Sequence, residues 1–307
     1  MVALWEGGIL DMSFRLEMLQ VARLAPDLLG DAAGLVEAFL RSQVTAEGAF
    51  ADRTGRPDLY YSVFGMEALL ALRLEPDWEK LASWLSGFRG GEGLDFVHLC
   101  CLARCWNAVP SAAGILPAAH GAALLEKLSG WRSEDGGFNQ RKGAGRCSAY
   151  GSLLGWAAHH DLRAGLPGAD RLTDCLAALR TPDGGYANEP GIPVGTTPAV
   201  AAAVSLHRHL RRTPDAAAGQ WLLAQIHPEG GFKAMPAAPM PDLLSTAVAL
   251  HALDGMQVSF AAHKDAILDF VDTLWSAEGG FHGHWADDAL DVEYTYYGLL
   301  ALGHLAL

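Results

Sequence analysis

The chain has 307 residues, half of them hydrophobic, and its formal net charge at pH 7 is −13. This acidic balance argues against nucleic acid as a partner and against binding to an anionic membrane surface, because both need clustered Lys and Arg. The hydrophobic content excludes a largely disordered chain.

Cysteine usage and the first residues favour a cytoplasmic protein. Five cysteines at irregular positions form no paired framework, which is typical of a reducing compartment. The beginning of the chain carries Glu6 and Asp11 and no basic region, so we expect no signal peptide. The longest apolar stretch, residues 199–206, is too short for a transmembrane helix, which needs about 20 residues.

In chain order, the first predicted element is an extra helix over residues 13–24, within a segment of residues 1–30 that we expect to pack on an edge of the domain. Repeats follow without a linker, so we predict a single domain over residues 1–307. Each repeat has a polar turn with glycines and an aromatic residue; the clearest aromatics, Phe138, Tyr186, Phe232 and Phe281, are 48, 46 and 49 residues apart. Such a period is typical of a solenoid, a propeller or a closed ring. The predicted repeats span approximately residues 31–75, 76–117, 118–167, 168–213, 214–262 and 263–307.

Two helices are predicted in each repeat. The first is amphipathic and is expected to end at the glycine turn, where glycine allows a left-handed backbone. These outer helices are predicted over residues 31–43, 77–88, 119–131, 170–180, 215–226 and 264–275. The second helix is apolar on all sides and must be enclosed. The inner helices are predicted to begin at six N-cap residues, Asp58, Asp95, Ser148, Thr196, Asp242 and Asp291. An outer ring of helices around an inner ring makes the fold class all-α, an α6/α6 toroid.

The residues at the starts of the inner helices carry a family resemblance. They include Asp58-Leu59-Tyr60-Tyr61-Ser62, Ser148-Ala149-Tyr150-Gly151-Ser152 and Asp291-Val292-Glu293-Tyr294-Thr295. With the glycine–aromatic turns at this period, the chain from about residue 31 onward resembles the prenyltransferase β-subunit and terpenoid-cyclase superfamily. The resemblance implies a toroid whose inner helices open, at their N-terminal ends, into an aromatic funnel that holds an isoprenoid chain.

Aromatic and polar side chains near these helix starts are the expected substrate-binding residues. An aromatic funnel suits a polyene or a carbocation held by ring faces. The alternative is that the same rings fill the centre of the toroid as ordinary core. The predicted substrate-binding residues are Tyr60, Tyr61, Phe64, His98, Tyr150, Trp156 and Tyr297.

Comparison with protein prenyltransferases places their three zinc ligands at Asp242, Leu244 and Tyr294. Two of the three are not ligands here, so the usual zinc activation of a thiol is not expected. The basic loop that binds diphosphate in the family is reduced to Lys233. Asp242 remains a candidate catalytic residue, with a simple helix cap as the alternative.

Comparison with class II terpenoid cyclases gives the other catalytic candidates. Their Asp-x-Asp-Asp-Thr motif is similar to residues 291–295, with Glu293 at the position of the proton donor and Asp291 and Tyr294 beside it. A carboxyl group enclosed in an apolar funnel has a raised pKa and can donate a proton. Alternatively, Glu293 is an acid at a helix start that is favoured by the helix dipole.

No cofactor is certain from the sequence, but one loop could bind a divalent metal. The segment over residues 282–288 holds two His and two Asp, and the preferred ligands for Mg²⁺ or Zn²⁺ would be Asp242, His282 and His284. A polar surface loop is the favoured alternative, in which case no metal is bound.

The sequence thus predicts a prenyltransferase-like or terpenoid-cyclase-like enzyme. It would bind an isoprenoid (diphosphate) chain in the central funnel and transfer or cyclise it without the usual zinc triad. The alternative is a catalytically degenerate toroid that binds a hydrophobic ligand or a protein. Prenyltransferases of the family pair with a helical α subunit, so a helical protein partner is left open.

Overall fold

The computed structural model describes residues 13–307. Residues 1–12, and with them the argument from Glu6 and Asp11, lie outside the described residues. Fourteen α-helices account for most of the described chain, with two short 3-10 turns, Gly30–Ala32 and Ala261–His263. Two very short antiparallel hairpins are also present; their paired strands are β1 (Phe50–Ala51) with β2 (Pro57–Asp58), and β3 (Phe232–Lys233) with β4 (Pro241–Asp242).

Largely buried apolar helices form an inner ring. Each of them contacts the next along the chain, and the last contacts the first, so the ring closes. Its members are α4 (Leu59–Ala71), α6 (Phe96–Ala108), α8 (Ala149–Asp161), α10 (Thr197–His209), α12 (Leu243–Gly255) and α14 (Val292–Ala306). The predicted all-α toroid is confirmed.

Shorter helices that bury one side alternate with the inner ones along the chain. They are α3 (Ala33–Ser42), α5 (Trp78–Ser86), α7 (Ala118–Ser129), α9 (Arg171–Ala177), α11 (Ala216–Leu223) and α13 (Lys264–Thr273). The prediction that these helices run up to the glycine turn was wrong. In α9, for example, the helix ends at Ala177 and the left-handed glycine, Gly184 with φ 89°, comes seven residues later. The glycine therefore shapes the turn and does not cap the helix.

The predicted helix starts are observed, with one difference in capping. A side-chain oxygen accepts a hydrogen bond from a backbone N–H three residues later at Asp58, Asp95, Ser148, Asp242 and Asp291. Thr196 occupies the cap position of α10 but makes no such bond. The first turn of that helix instead contains Pro198, which has no N–H to satisfy.

The aromatic residue of a turn packs against the inner helix that follows it in the chain. Phe138 is fully buried, its backbone N–H donates to Ser152 Oγ of α8 at 3.2 Å, and its ring lies against Gly155 of the same helix. Phe50 and Phe281 contact inner-helix glycines in the same way. A Cβ at such a glycine would overlap the ring, so a small residue is required there. This explains why the turn and the inner helix recur together.

The extra helix is present close to the predicted residues 13–24, but it packs differently from the prediction. The described helices α1 (Phe14–Ala22) and α2 (Pro26–Leu29) follow a cap at Ser13, and α1 contacts α14 and α4. Arg15 forms a buried ion pair with Glu67 of α4, and Glu17 pairs with Arg208 at the end of α10 at 2.7 Å. Helix α1 therefore crosses the C-terminal ends of the inner helices instead of packing on an edge. These long-range ion pairs have no counterpart in the repeat pattern.

The described helices include none with the length and apolar character needed to cross a bilayer.

Candidate functional site

A cavity of about 440 Å³ lies inside the ring of inner helices. We call its end at the helix N-termini the mouth and its end beneath α1 the floor. Near the mouth, the wall contains Tyr60 and Phe64 of α4, Tyr150 of α8 and Tyr297 of α14. Phe14 of α1 lies in the wall at the floor. The cavity is thus lined by rings at one end and closed by a helix at the other.

The remaining predicted substrate-binding residues are not among the described residues that line this cavity. His98 lies between two helix caps: its Nε2 is 3.2 Å from Asp58 Oδ2, and its Nδ1 is 2.8 Å from Asp95 Oδ1. The hydrogen bond to Asp58, with the one to Asp95, raises the pKa of His98 to about 9. Tyr61 lies at the start of α4, half-buried, and Trp156 packs beside His209 with ring centroids 4.8 Å apart. His98 therefore links the starts of α4 and α6 as an ion pair.

Glu293 lies beside the aromatic mouth. Its Oε1 accepts a hydrogen bond of 2.6 Å from the hydroxyl of Tyr60. Burial raises the pKa of Glu293 to about 7, and the negative charge of Asp291 adds to this; the Tyr60 hydrogen bond and Arg53 work in the opposite direction. At neutral pH about half of such carboxyl groups carry a proton. The residue can therefore act as an acid next to an apolar cavity.

Asp291, two residues earlier, has a different environment. Its Oδ1 accepts from the backbone N–H of Tyr294 at 2.9 Å, and its Oδ2 accepts from Arg53 Nε at 2.7 Å. Arg53 also pairs with Asp287 at 2.9 Å. One carboxyl group is thus held by a guanidinium while its neighbour is held by a phenol. Asp291 caps α14 and fixes the backbone that carries Glu293.

Arg53 is a site residue that sequence reasoning missed. It lies in the loop between β1 and β2 of the first repeat, yet it contacts the last repeat and lies over the ring of Tyr294, 5.6 Å from its centroid. Its only signal in the sequence is the polar turn over residues 52–56. That signal does not reveal a contact across the point where the ring closes.

Asp242 is the N-cap of α12. Both of its oxygens are engaged by Ser245, through the backbone N–H at 2.7 Å and the hydroxyl at 2.7 Å, and burial raises the pKa of Asp242. Burial raises the pKa of Tyr294 to about 12, and the nearby carboxyl groups of Glu293 and Asp242 add to this effect. Of the four predicted catalytic residues, Glu293 has the direct hydrogen bond to a cavity residue.

The residues proposed as metal ligands make local contacts in their loop. Nδ1 of His282 lies 3.2 Å from the carbonyl of Ala289, and Nδ1 of His284 accepts from the N–H of Ala286 at 3.1 Å. Among residues 13–307, the potential ligand atoms that gather within 4.8 Å of one another belong instead to Asp135, Cys147 and Cys175. A divalent metal bound by Asp242, His282 and His284 stays a prediction.

The cluster of Asp135 with two thiols was also missed, because the cysteines are far apart in sequence. Oδ2 of Asp135 accepts from the N–H of Cys147 at 3.0 Å, and Cys175 Sγ donates to the carbonyl of Asp135 at 3.1 Å. Two thiols and a carboxylate are a donor set that Zn²⁺ accepts. However, Asp183 in the next repeat makes the equivalent bond, to the N–H of Gly195 at 3.2 Å, with no thiol nearby in the sequence pattern. The carboxylate therefore has a turn-forming role that needs no metal.

Comparison with known proteins adds a family and relatives. The model of the prenyltransferase alpha-alpha toroid domain matches residues 3–84 and 198–306. Over 148 residues the chain is 30% identical to drimenyl diphosphate synthase from Streptantibioticus cattleyicolor; the match covers 45% of this chain and 27% of that protein. The chain thus spans about a quarter of the length of the curated relative it matches.

Solved structures share the fold at low identity. A variant of the type II terpene cyclase MstE from Scytonema, in complex with its substrate geranylgeranyl dihydroxybenzoate, superimposes with a TM-score of 0.58 at 14% identity, covering 92% of this chain and 97% of that one. A glycosidase in complex with glucose does so with a TM-score of 0.57 at 14% identity, covering 94% and 98%. These similarities show the fold only, so the chemistry has to be inferred from the residues of the site.

Proposed function

The chain belongs to the prenyltransferase alpha-alpha toroid family, and from this premise we propose that it is a terpene-cyclase-like enzyme that protonates an isoprenoid polyene, with Glu293 as the acid. The observation that carries the proposal is the hydrogen bond from a tyrosine of the aromatic cavity to the largely buried carboxyl group of Glu293, whose pKa burial raises to about 7. An ordinary surface glutamate would be almost fully ionised at neutral pH and could not start such a reaction.

The chemistry assigns a role to each group at the mouth. The proton of Glu293 adds to one carbon of an alkene, the electron pair of the double bond forms the new C–H bond, and the adjacent carbon becomes a cation. The carboxylate left behind keeps the hydrogen bond from Tyr60. The faces of Phe64 and the cavity tyrosines attract the cation through their ring quadrupoles. Neighbouring double bonds of the substrate then attack the cation and close rings. Loss of a proton from the last cation gives a neutral cyclic alkene, so the proton added by Glu293 is balanced by the proton that leaves.

Several contacts support protonation over ionisation of a diphosphate. A diphosphate leaving group needs several positive donors. Nζ of Lys233 donates to the carbonyl of Pro236 at 3.0 Å, and Arg141 pairs with Glu189 at 2.5 Å. Leu244, at the position of a zinc-binding cysteine, lies in the apolar cavity wall. We therefore favour cyclisation over transfer for this chain.

The names of two relatives suggest the substrates to test first. One is a synthase of a drimenyl diphosphate, and the other binds geranylgeranyl dihydroxybenzoate as its substrate. We infer that this chain accepts an isoprenoid with an intact terminal alkene, carried by either kind of polar end group.

The test is turnover of farnesyl diphosphate and of geranylgeranyl dihydroxybenzoate, with products identified by mass spectrometry. We expect cyclised products from at least one of them, and a loss of about 100-fold or more on Glu293→Gln, in the range for removal of a general acid. Glu37→Gln, at a surface pair with Arg41, is the matched control and should leave turnover unchanged. Undiminished turnover in Glu293→Gln would exclude this residue as the acid.

A second candidate function is binding without turnover. It is favoured by Tyr294, which stands where the cyclase motif has its last Asp and so removes one carboxylate from the acid's surroundings. Saturable binding of a prenyl ligand without any product, and with equal affinity in Glu293→Gln, would support this candidate against the enzyme.

A further inference from the structure

Two buried thiols meet the turn of the third repeat, outside the central cavity. Cys147 and Cys175 are 0% and 2% exposed, and neither they nor Asp135 line the cavity. Asp135 and Cys147 belong to the turn before α8, whereas Cys175 lies on α9 of the fourth repeat. The cluster therefore lies between two adjacent repeats, and the proposed reaction does not use it.

The potential ligand atoms of this cluster have nearly the spacing of a tetrahedral metal site. The sulfur atoms of Cys147 and Cys175 and a carboxylate oxygen of Asp135 all lie within 4.8 Å of one another. Zn²⁺ binds thiolate sulfur at about 2.3 Å and carboxylate oxygen at about 2.0–2.2 Å, so its tetrahedral ligands are about 3.5–3.8 Å apart. Small side-chain rotations close the difference. Asp135 is partly exposed, so a water molecule can reach the cluster as the fourth ligand.

The next repeat shows what the turn requires when thiols are absent. Asp183 is the counterpart of Asp135, and its Oδ2 accepts a hydrogen bond of 3.0 Å from the indole N–H of Trp221. In the third repeat Cys175 stands in place of this indole, and its Sγ donates to the backbone carbonyl of Asp135 at 3.1 Å. Cys147 likewise stands in place of a glycine. The turn forms without either thiol, so the presence of both needs another explanation.

Two arginines beside the cluster favour an anionic set of ligands. Arg171 donates to the carbonyl of Glu134 at 3.1 Å, and Arg132 donates to the carbonyl of Pro167 at 2.8 Å. Both guanidinium charges act on the sulfur of Cys175. Neither arginine forms an ion pair with a carboxylate among residues 13–307. One Zn²⁺ with two thiolates and one carboxylate carries one net negative charge, which these nearby cations offset.

We propose that Asp135, Cys147 and Cys175 bind a Zn²⁺ ion that joins the turn of the third repeat to the outer helix of the fourth. Two thiolates favour Zn²⁺ over Mg²⁺ and Ca²⁺, which prefer oxygen ligands. On binding, the two thiols release their protons to solvent and form two Zn–S bonds, while the carboxylate keeps its hydrogen bond from the N–H of Cys147. Because the metal binds the folded arrangement of two repeats, it stabilises their contact.

Zinc content tests the site directly. Protein purified with zinc under reducing conditions, and then freed of loosely bound metal, is expected to hold about one zinc per chain. Cys147→Ala and Cys175→Ala should each lower this content about tenfold or more. Cys105→Ala, at a thiol on α6 that is equally buried, is the matched control and should keep the full content. X-ray absorption of the unchanged protein needs no variant to fold, and it should show two sulfur neighbours of zinc at about 2.3 Å.

A pair of carboxylate variants separates the metal from the turn. Asp135→Asn and Asp183→Asn both replace a turn carboxylate by an amide, but only the first removes a proposed ligand. In competition with a chelating dye, Asp135→Asn should bind zinc about tenfold more weakly or worse, and Asp183→Asn should bind it as the unchanged protein does. Equal losses in the two variants would assign the carboxylate to the turn alone and overturn its role as a ligand.

The remaining outcomes are equally decisive. A protein that holds no zinc, or that keeps its zinc in both cysteine variants, overturns the site. Zinc surrounded by nitrogen and oxygen atoms without sulfur overturns it as well. A disulfide between Cys147 and Cys175 that persists under the reducing conditions and excludes zinc does the same. All of these results leave the proposed function standing, because none of the three ligands lines the cavity.

Discussion

Replacing Glu293 by Gln should make the protein more stable at pH 8 while it lowers turnover by about 100-fold or more. Gln keeps the shape of the side chain and an acceptor for the hydroxyl of Tyr60, but it cannot ionise. Burial raises the pKa of Glu293 from its ordinary value of 4.5 to about 7. Each pKa unit corresponds to 1.36 kcal/mol, so ionisation in the folded state costs about 3 kcal/mol of unfolding free energy.

The sign of the effect follows from the proton balance. Between pH 4.5 and about 7 the folded protein still holds a proton that the unfolded chain has lost, so stability falls as the pH rises through this window. Below pH 4.5 both states are protonated and the difference disappears. The gain in Glu293→Gln should therefore approach 3 kcal/mol at pH 8 and be close to zero at pH 4.

Urea denaturation of both proteins at pH 4 and pH 8 measures this difference. Glu17→Gln is an opposed control: burial would raise the pKa of Glu17, but the hydrogen bond with His209 and the charges of His251 and Arg208 lower it to about 2. Its ionised form is stabilising above pH 4.5, and that contribution is lost as the pH falls through about 2. Glu17→Gln should therefore be less stable than the original protein at pH 8, which is the opposite direction.

An equal stability change in Glu293→Gln at the two pH values would mean that Glu293 ionises as an ordinary glutamate. In that case too little protonated acid would be present at neutral pH, and the assignment of the proton donor would fail.

Three further changes test neighbouring contacts. Tyr60→Phe removes a hydrogen bond that lowers the pKa of Glu293, so the pKa of Glu293 should rise by about one pH unit. An NMR titration with labelled carboxyl groups measures this pKa, and a downward shift would contradict the geometry. His98→Gln should lower the unfolding free energy by about 1 kcal/mol at pH 6, allowing for solvent screening, and by nothing at pH 10. The raised pKa of His98 stabilises the fold fully below pH 6.5, and this stabilisation is lost as the pH rises through about 9; a cost that persists at pH 10 would refute the ion pair. Gly155→Ala places a Cβ 2.4 Å from the aromatic ring of Phe138 and should cost about 1–3 kcal/mol in thermal unfolding, whereas Gly34→Ala, also in a helix but in open space, should cost nothing; equal effects would show that the ring contact is not limiting.

The repeat pattern predicted most of the fold because it records local requirements. A cap such as Asp95 must precede a helix, and a ring such as Phe138 must meet a small residue, so these residues return with each repeat. Outer-helix ends were predicted less well, since no strong stop signal separates Ala177 from the turn that follows it.

The candidate site was only partly accessible from the sequence. Glu293 could be found because it follows a recognisable cap, but its tyrosine partner, 233 residues away, could not. Arg53 and the ion pair of Arg15 with Glu67 are single contacts between distant parts of the chain. Such contacts occur once, so a periodic pattern carries no trace of them.

In an open solenoid, end units can be gained or lost because each one touches only its neighbours. Here Phe39 of the first repeat packs on Gly280 of the last, and deleting a unit would leave two surfaces that no longer meet. The copy number is therefore fixed by geometry, and new properties must arise by substitution within units. Cys147 and Cys175, which stand where the following unit has Gly195 and Trp221, illustrate this kind of divergence.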